Sequence, residues 1–168
     1  YMTVHKGMET NYHYVLWYED ERTIMVKHQE YPYHLLKINP PRYLYLSSLA
    51  DNSYEYHLEI VEYLKSHPEV KLVFQPGTFQ MKLGYEKLRG IYERSEIFFA
   101  NVQEVQRILG TKEEDVKKLL VLMCAKGPKI VAITDGPKGA YVTDGKDYWF
   151  IPPYPDPKPA FERTGAGD

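Results

Sequence analysis

Cysteine is almost missing from this sequence: of 168 residues one is Cys, and only two are Trp. Cys124 sits in the apolar stretch Leu119-Leu120-Val121-Leu122-Met123, with no partner for an internal disulfide and no companions for a thiolate metal cluster. A disulfide scaffold is thereby excluded, and a reducing cytoplasm is the expected setting. An excess of charge of one sign is lacking too, since 21 Lys and Arg face 23 Asp and Glu for a net charge of −2 at pH 7. Without a basic stripe to neutralise phosphates, nucleic acid is not an expected partner. No apolar run approaches the roughly 20 residues that a helix needs to cross a bilayer. No charged stretch followed by a hydrophobic one opens the chain, so neither membrane insertion nor secretion is expected.

What is abundant is tyrosine, with 16 residues inside a hydrophobic content of 43%. That is enough apolar side chain for a real core at the size of one domain. Near the start, 12–18 and 22–28 are β-rich runs joined by Glu19-Asp20-Glu21, and they read as a hairpin. Its tyrosines at 12, 14 and 18 share one face, which either packs on a sheet or covers a bound ligand.

From Tyr43 onward short apolar runs alternate with longer amphipathic segments, the pattern of βαβ units and a mostly parallel sheet. Strands are predicted at 43–46, 70–74, 97–100 and 130–134. The helix at 54–66 is expected to bury Leu58, Val61 and Leu64, and the one at 85–93 to bury Leu88, Ile91 and Tyr92. A further helix should start at Thr111, with Glu114 reaching back in a capping box, and end near Lys126 before Gly127-Pro128. A second hairpin is predicted around Asp144-Gly145. The five prolines between Pro152 and Pro159 then make an extended connector.

Three motifs carry chemistry. Gly165-Ala166-Gly167-Asp168 can turn the backbone sharply and aim successive N–H groups at an anion, with a carboxylate beside them to take a proton from a hydroxyl. Phosphoryl transfer needs both parts, donors for developing charge and a base for the nucleophile. Thr134-Asp135-Gly136-Pro137-Lys138-Gly139 closes one apolar strand and opens another, at the strand end where open α/β sheets bind nucleotides. Asn101-Val102-Gln103-Glu104 follows a strand and starts a helix, placing an amide and a carboxylate one turn apart. Asn101 and Glu104 also have the spacing of an ordinary N-cap and its capping-box partner.

Taken in order, Asn101-x-x-Glu104, Thr134-x-Gly136-x-x-Gly139 and Gly165-Ala166-Gly167-Asp168 resemble the ribokinase-like (PfkB family) carbohydrate kinases. The 12–28 hairpin looks like that family's β-lid, and Phe74-Gln75-Pro76-Gly77-Thr78 like its strand-end Pro-Gly segment. The resemblance implies an α/β, ribokinase-like three-layer fold with a mostly parallel sheet and a β-hairpin lid, incomplete at both ends. It implies residues 1–38 as lid strands and connection, and 39–168 as a partial nucleotide- and substrate-binding core ending at the anion-hole turn.

Carried onto this sequence, the resemblance makes Asp168 the catalytic base, with the backbone of Gly165, Ala166 and Gly167 as the anion hole. Asn101 and Glu104 would organise magnesium-bound phosphates, Glu104 through water, while Thr134, Gly136 and Gly139 would line the ATP site. The implied cofactors are ATP and Mg2+, the partner a small sugar or nucleoside, and the lid a surface that could pair two copies. The histidines at 5, 13, 28, 34, 57 and 67 lack metal-ligand spacing and read as surface or lid residues.

Glu162-Arg163 departs from the family pattern, which often has Asp and a small polar residue there. The family's N-terminal sugar-binding region and everything after Asp168 lie outside the sequence, so this chain alone is expected to be an inactive fragment. A Gly-x-x-x-x-Gly-Lys-Ser/Thr loop and a protein-kinase catalytic loop are both lacking. Two rivals remain. One is a dinucleotide-binding oxidoreductase, the weaker because Gly139 leads into a strand rather than a helix. The other is a non-catalytic binding or dimerisation module, which exposed aromatics on the hairpin would favour.

Overall fold

The computed structural model describes residues 2–18, 21–27 and 29–155. They fall into two units, Tyr33–Pro153 and the residues on either side of it. The flanking unit holds strands β1 (Tyr12–Tyr18) and β2 (Glu21–Lys27), paired antiparallel from Tyr12 opposite Lys27 to Tyr18 opposite Glu21. The second strand begins one residue earlier than expected; Glu19, Asp20 and His28 lie outside the described residues. Tyr14, Leu16 and Tyr18 on one face and Trp17 on the other are all exposed, so neither face of this ribbon is packed as a core.

In the main unit, alternating apolar strands and amphipathic helices build a six-stranded sheet. The strands are β3 (Tyr43–Leu46), β4 (Lys71–Phe74), β5 (Ser95–Asn101), β6 (Ile130–Thr134), β7 (Ala140–Thr143) and β8 (Tyr148–Ile151), in spatial order 3-4-5-6-7-8. β3 to β6 are parallel, whereas β7 and β8 run antiparallel through the expected hairpin. Parallel neighbours need crossover connections, which are supplied by α1 (Tyr54–Ser66), α2 (Thr78–Leu83), α3 (Tyr85–Arg94), α4 (Val102–Leu109) and α5 (Val116–Cys124). The result is the mostly parallel α/β sheet, with a separate antiparallel hairpin, that the sequence predicts.

One face of the sheet carries the core. Alternate residues Leu72, Phe74, Phe98, Ala100, Val131 and Ile133 join a single buried cluster with Ile60 and Leu64 of α1, Tyr92 of α3, Val105 of α4 and Met123 of α5. Phe74 meets Tyr92 edge-on at 5.3 Å and Phe98 at 6.0 Å, contacts worth about 0.5–1.5 kcal/mol each beyond area burial. The intervening strand residues point to the other face. There Val73 and Ala132 are buried, but Tyr45, Phe99, Trp149 and Ile151 are exposed. Asn101 and Thr134 belong to that second face, by alternation from Ala100 and Ile133.

Three expectations are corrected. Helix α1 buries His57, Ile60 and Leu64, while Leu58 is exposed. The inward stripe is rotated because His57 finds hydrogen-bond partners inside, so a polar residue takes a core position. His57 is accordingly not a surface residue. Helix α5 begins at Val116 rather than Thr111: the Thr111 hydroxyl accepts from the Glu113 N–H at 3.1 Å in a local turn, and Asp115 caps the helix by accepting from Lys117 N–H at 2.9 Å. A short α2, unforeseen, follows Gly77.

Candidate functional site

The C-terminal ends of β3, β4, β5 and β6 lie side by side because the four strands are parallel. In such sheets the ligand crevice lies outside those ends. Asn101, the last residue of β5, is the register partner of Thr134, the last of β6, so their backbones are one strand spacing apart, about 4.8 Å. Both are exposed.

Asn101 is also the N-cap of α4. Its Oδ1 accepts from the Glu104 N–H at 2.9 Å, and Glu104 Oε2 accepts from the Asn101 N–H at 2.9 Å. The ordinary capping role read from the sequence is therefore fully present. It uses one oxygen of each side chain, so the Asn101 amide NH2 and the second Glu104 oxygen take no part in the cap. Hard oxygen donors with room for water suit magnesium, and a single carboxylate fits a water-mediated contact better than a closed protein cage.

After β6 the chain makes a 3-10 turn over Gly136–Lys138, held by Lys138 N–H donating to Asp135 O at 2.9 Å and Asp135 N–H to Gly139 O at 2.8 Å. The two glycines have different surroundings. Gly136, at φ 50°, has open space where a Cβ would stand, so ligand backbone or phosphate can approach it. Gly139, at φ 95°, is buried where a Cβ would strike the Ile151 carbonyl oxygen and the Phe150 ring. The Gly139 signal thus has a packing cause in β8, and Gly136 is the one facing free space. Lys138 pairs with Asp135 at 3.3 Å across this turn.

The structure therefore brings Asn101, Glu104, Thr134 and the Gly136–Gly139 turn to one sheet edge. The expected anion hole and base, Gly165, Ala166, Gly167 and Asp168, lie outside the described residues. A groove of about 550 Å3 between α5 and β8, lined by Glu113, Lys117, Lys118, Val121, Leu122 and Tyr148, is elsewhere. Tyr148 pairs with Thr143 and Thr143 with Val131, which places that groove toward the opposite end of β6 from Thr134.

Sequence reasoning marked 74–78, after β4, as a strand-end segment but missed the loop after β3 and the contacts that join the two at this same edge. Tyr45 donates its hydroxyl to Gln75 Oε1. Gln80 Oε1 accepts from the Gly77 N–H at 2.7 Å, while its amide NH2 donates to the Ser47 carbonyl at 2.9 Å. Gly77 lies so close to the Ser48 side chain that a Cβ there would collide with it. The spacing Gly77-x-x-Gln80 was the available signal, since a glutamine three residues into a helix is the capping-box position.

Residues 1–168 match the pfkB family carbohydrate kinase pattern throughout. A cytidine kinase of Thermococcus kodakarensis is 42% identical over 82 residues, which cover 48% of this chain and 28% of that enzyme. Among solved structures, a protein of Agrobacterium tumefaciens classed as a ribokinase superposes with TM-score 0.66 at 18% identity, over 96% of this chain and 52% of its own. The ribokinase of Giardia lamblia gives TM-score 0.59 at 21% identity, over 75% of this chain and 40% of its own. These two likenesses show the ribokinase-like fold. The chain spans about half or less of the length of each of these relatives. With its profile matched from end to end and its motifs in the expected order, the chain belongs to the pfkB family of carbohydrate kinases.

Proposed function

We propose that the full-length protein carrying this sequence transfers the terminal phosphoryl group of ATP to a hydroxyl of a sugar or nucleoside. The observation that supports this reading best is the meeting of Asn101, Glu104 and Thr134 at the ends of adjacent parallel strands. Family membership supplies the reaction class. In this reading Asp168 takes the proton from the acceptor hydroxyl, and the main-chain N–H groups of Gly165, Ala166 and Gly167 receive the charge developing on the phosphoryl oxygens. Thr134 and Gly136 lie against the nucleotide phosphates, and Gly139 lets the turn seat on β8. Asn101 and Glu104 orient the phosphate water shell. Magnesium, held by Glu104 through water, would neutralise phosphate charge.

The hairpin of β1 and β2 closes over the acceptor to exclude water, or pairs with a second copy through its exposed aromatics. The cytoplasm is the expected compartment. A nucleoside acceptor is favoured by the stretch shared with the cytidine kinase. The test is a phosphorylation assay on the full-length protein with MgATP and a panel of cytidine, adenosine, ribose and fructose, repeated with Asp168→Asn. At least one acceptor should turn over, and the variant should lose about 10²-fold to 10⁴-fold in kcat while still binding MgATP. Turnover of no acceptor by the full-length protein, or an Asp168→Asn variant as fast as wild type, would overturn the reading. Turnover by the 168-residue chain alone would overturn only the expectation that this chain is an inactive fragment.

A further inference from the structure

His57 is 1% exposed and sits on α1, facing α2. Its Nδ1 lies 2.6 Å from the Ser53 carbonyl oxygen, and its Nε2 lies 3.0 Å from Gln80 Nε2.

The roles in this cluster follow from groups that have no choice. The Gly77 N–H can only donate, so the Gln80 atom facing it is the oxygen; the Ser47 carbonyl can only accept, so the atom facing it is the NH2. The same NH2 points at His57 Nε2, which must therefore be an unprotonated acceptor. The ring proton is then on Nδ1, where the Ser53 carbonyl receives it. One neutral tautomer satisfies every partner, whereas a charged imidazole keeps the bond to the Ser53 carbonyl but sets a second donor against the Gln80 NH2. A proton on Nε2 would face the Gln80 NH2. Turning the amide to meet it would set the oxygen against the Ser47 carbonyl and the NH2 against the Gly77 N–H.

Gln80 thus ties the loop after β3, through Ser47, to the loop after β4, through Gly77, with His57 holding the amide in place. Both loops stand at the sheet edge beside Asn101 and Thr134, next to the strands assigned to phosphate. We propose that His57 and Gln80 are positioning residues, a clamp that sets the spacing of these two loops and opens when His57 is protonated. The strand order puts the loops on the side of the site away from the Thr134–Gly139 turn given to the nucleotide, and so on the side left for the acceptor. Its effect on acceptor binding rests on the kinase reading; the clamp itself does not. Burial pushes the imidazole below its usual range, the Ser53 carbonyl works the other way, and no charged side chain of α1, α2, α3 or the loop after β3 contributes. Its partners Ser53 and Gln80 do not titrate.

The experiment compares full-length wild type with Gln80→Met, which keeps the volume and removes the polar ties, and Gln80→Glu. Amide hydrogen-exchange protection at 47–53, 75 and 77 and the His57 ring resonance are followed from about pH 7.5 to about pH 4.5, extending below the usual histidine range because burial lowers this imidazole. KM for cytidine and for ATP is measured alongside. In wild type, protection at Gly77 should fall as the His57 ring titrates. Gln80→Met should lose it at every pH by about tenfold, the worth of one buried hydrogen bond. Gln80→Glu should lose the tie to the Ser47 carbonyl at every pH, because a carboxylate oxygen cannot donate to it. It should nevertheless reverse the pH trend at Gly77, because a carboxylate still accepts from the Gly77 N–H and from a protonated imidazole. KM for cytidine should rise with loss of protection while KM for ATP stays within about twofold.

Unchanged protection in Gln80→Met, or the same pH trend in Gln80→Glu as in wild type, overturns the clamp. So does loosening that leaves KM for cytidine unmoved in an enzyme that turns cytidine over. If wild type phosphorylates no acceptor, the kinase reading fails instead, and the clamp stands or falls on the protection pattern in the three proteins.

Discussion

Asn101 and Glu104 exchange two hydrogen bonds, each 2.9 Å long, across the first turn of α4. The same two residues are asked to serve the nucleotide, and the two duties can be separated by substitution. Glu104→Gln keeps an oxygen for the Asn101 N–H, so thermal stability should stay within about 0.5 kcal/mol of wild type. It removes the negative charge that the magnesium role requires, so kcat/KM should fall about tenfold or more and the Mg2+ concentration for half-activity should rise. Asn101→Ala, by contrast, loses the cap and should cost about 1 kcal/mol in any reading. Full activity in Glu104→Gln at low Mg2+ would leave Glu104 as a cap alone.

Gly77 is packed against Ser48, and the reason it is glycine is space rather than conformation. Its φ of −91° suits any residue, but an added Cβ would overlap the Ser48 side chain. Gly77→Ala should therefore destabilise the protein by about 1–3 kcal/mol, the usual cost of overpacking. Adding Ser48→Gly removes the obstructing atoms and should return most of that loss, a coupling that a double-mutant cycle reads directly by denaturant unfolding. Additive effects of the two substitutions would show that the close approach is not the cause.

Helix α5 offers a direct contest between two caps. Asp115 accepts from the Lys117 N–H at 2.9 Å, whereas Thr111 is engaged four residues earlier with Glu113. Asp115→Ala should cost about 1 kcal/mol and Thr111→Ala less than half of that. Equal losses would put the functional start of the helix nearer Thr111.

These contests show where the sequence was legible. Strands such as Ile130–Thr134 are short, β-branched and bounded by Pro128 and Gly136, so pattern and punctuation agree. The Asp144-Gly145 turn likewise has one reading. Thr111 reads as the cap because Glu114 follows it at capping-box spacing; in the structure Glu113 instead turns the chain, its carboxylate accepting from the N–H groups of Glu114 and Asp115, and the helix starts after Asp115. His57 was misread because hydropathy treats a histidine as polar until its partners are known, and Gln80 is 23 residues away. In the site, the motif residues Asn101, Glu104 and Thr134 were visible because strand ends concentrate them. The contacts of Gln80 with Gly77, Ser47 and His57 were not, since they depend on which loops the topology makes neighbours.

Far from the site, Glu96 links three segments by accepting from Lys129 at 2.9 Å and pairing with Lys71 at 3.2 Å. Its side chain is only 18% exposed, so the two ammonium groups hold its carboxyl below the usual value, the hydrogen bond from Lys129 contributing most and burial opposing. The sign follows from proton counting. The unfolded chain takes up a proton near 4.5 while the folded form resists, so the pair's stabilisation is complete above that pH and is lost as pH falls through the folded value. The lysines are largely exposed, which limits the gain to about 0.5–1 kcal/mol. Glu96→Gln should therefore lower stability by that amount at neutral pH and by nearly nothing once wild type is itself protonated in acid. Urea unfolding at both pH values checks it, and a loss that persists undiminished in acid would assign the effect of the substitution to packing instead of charge.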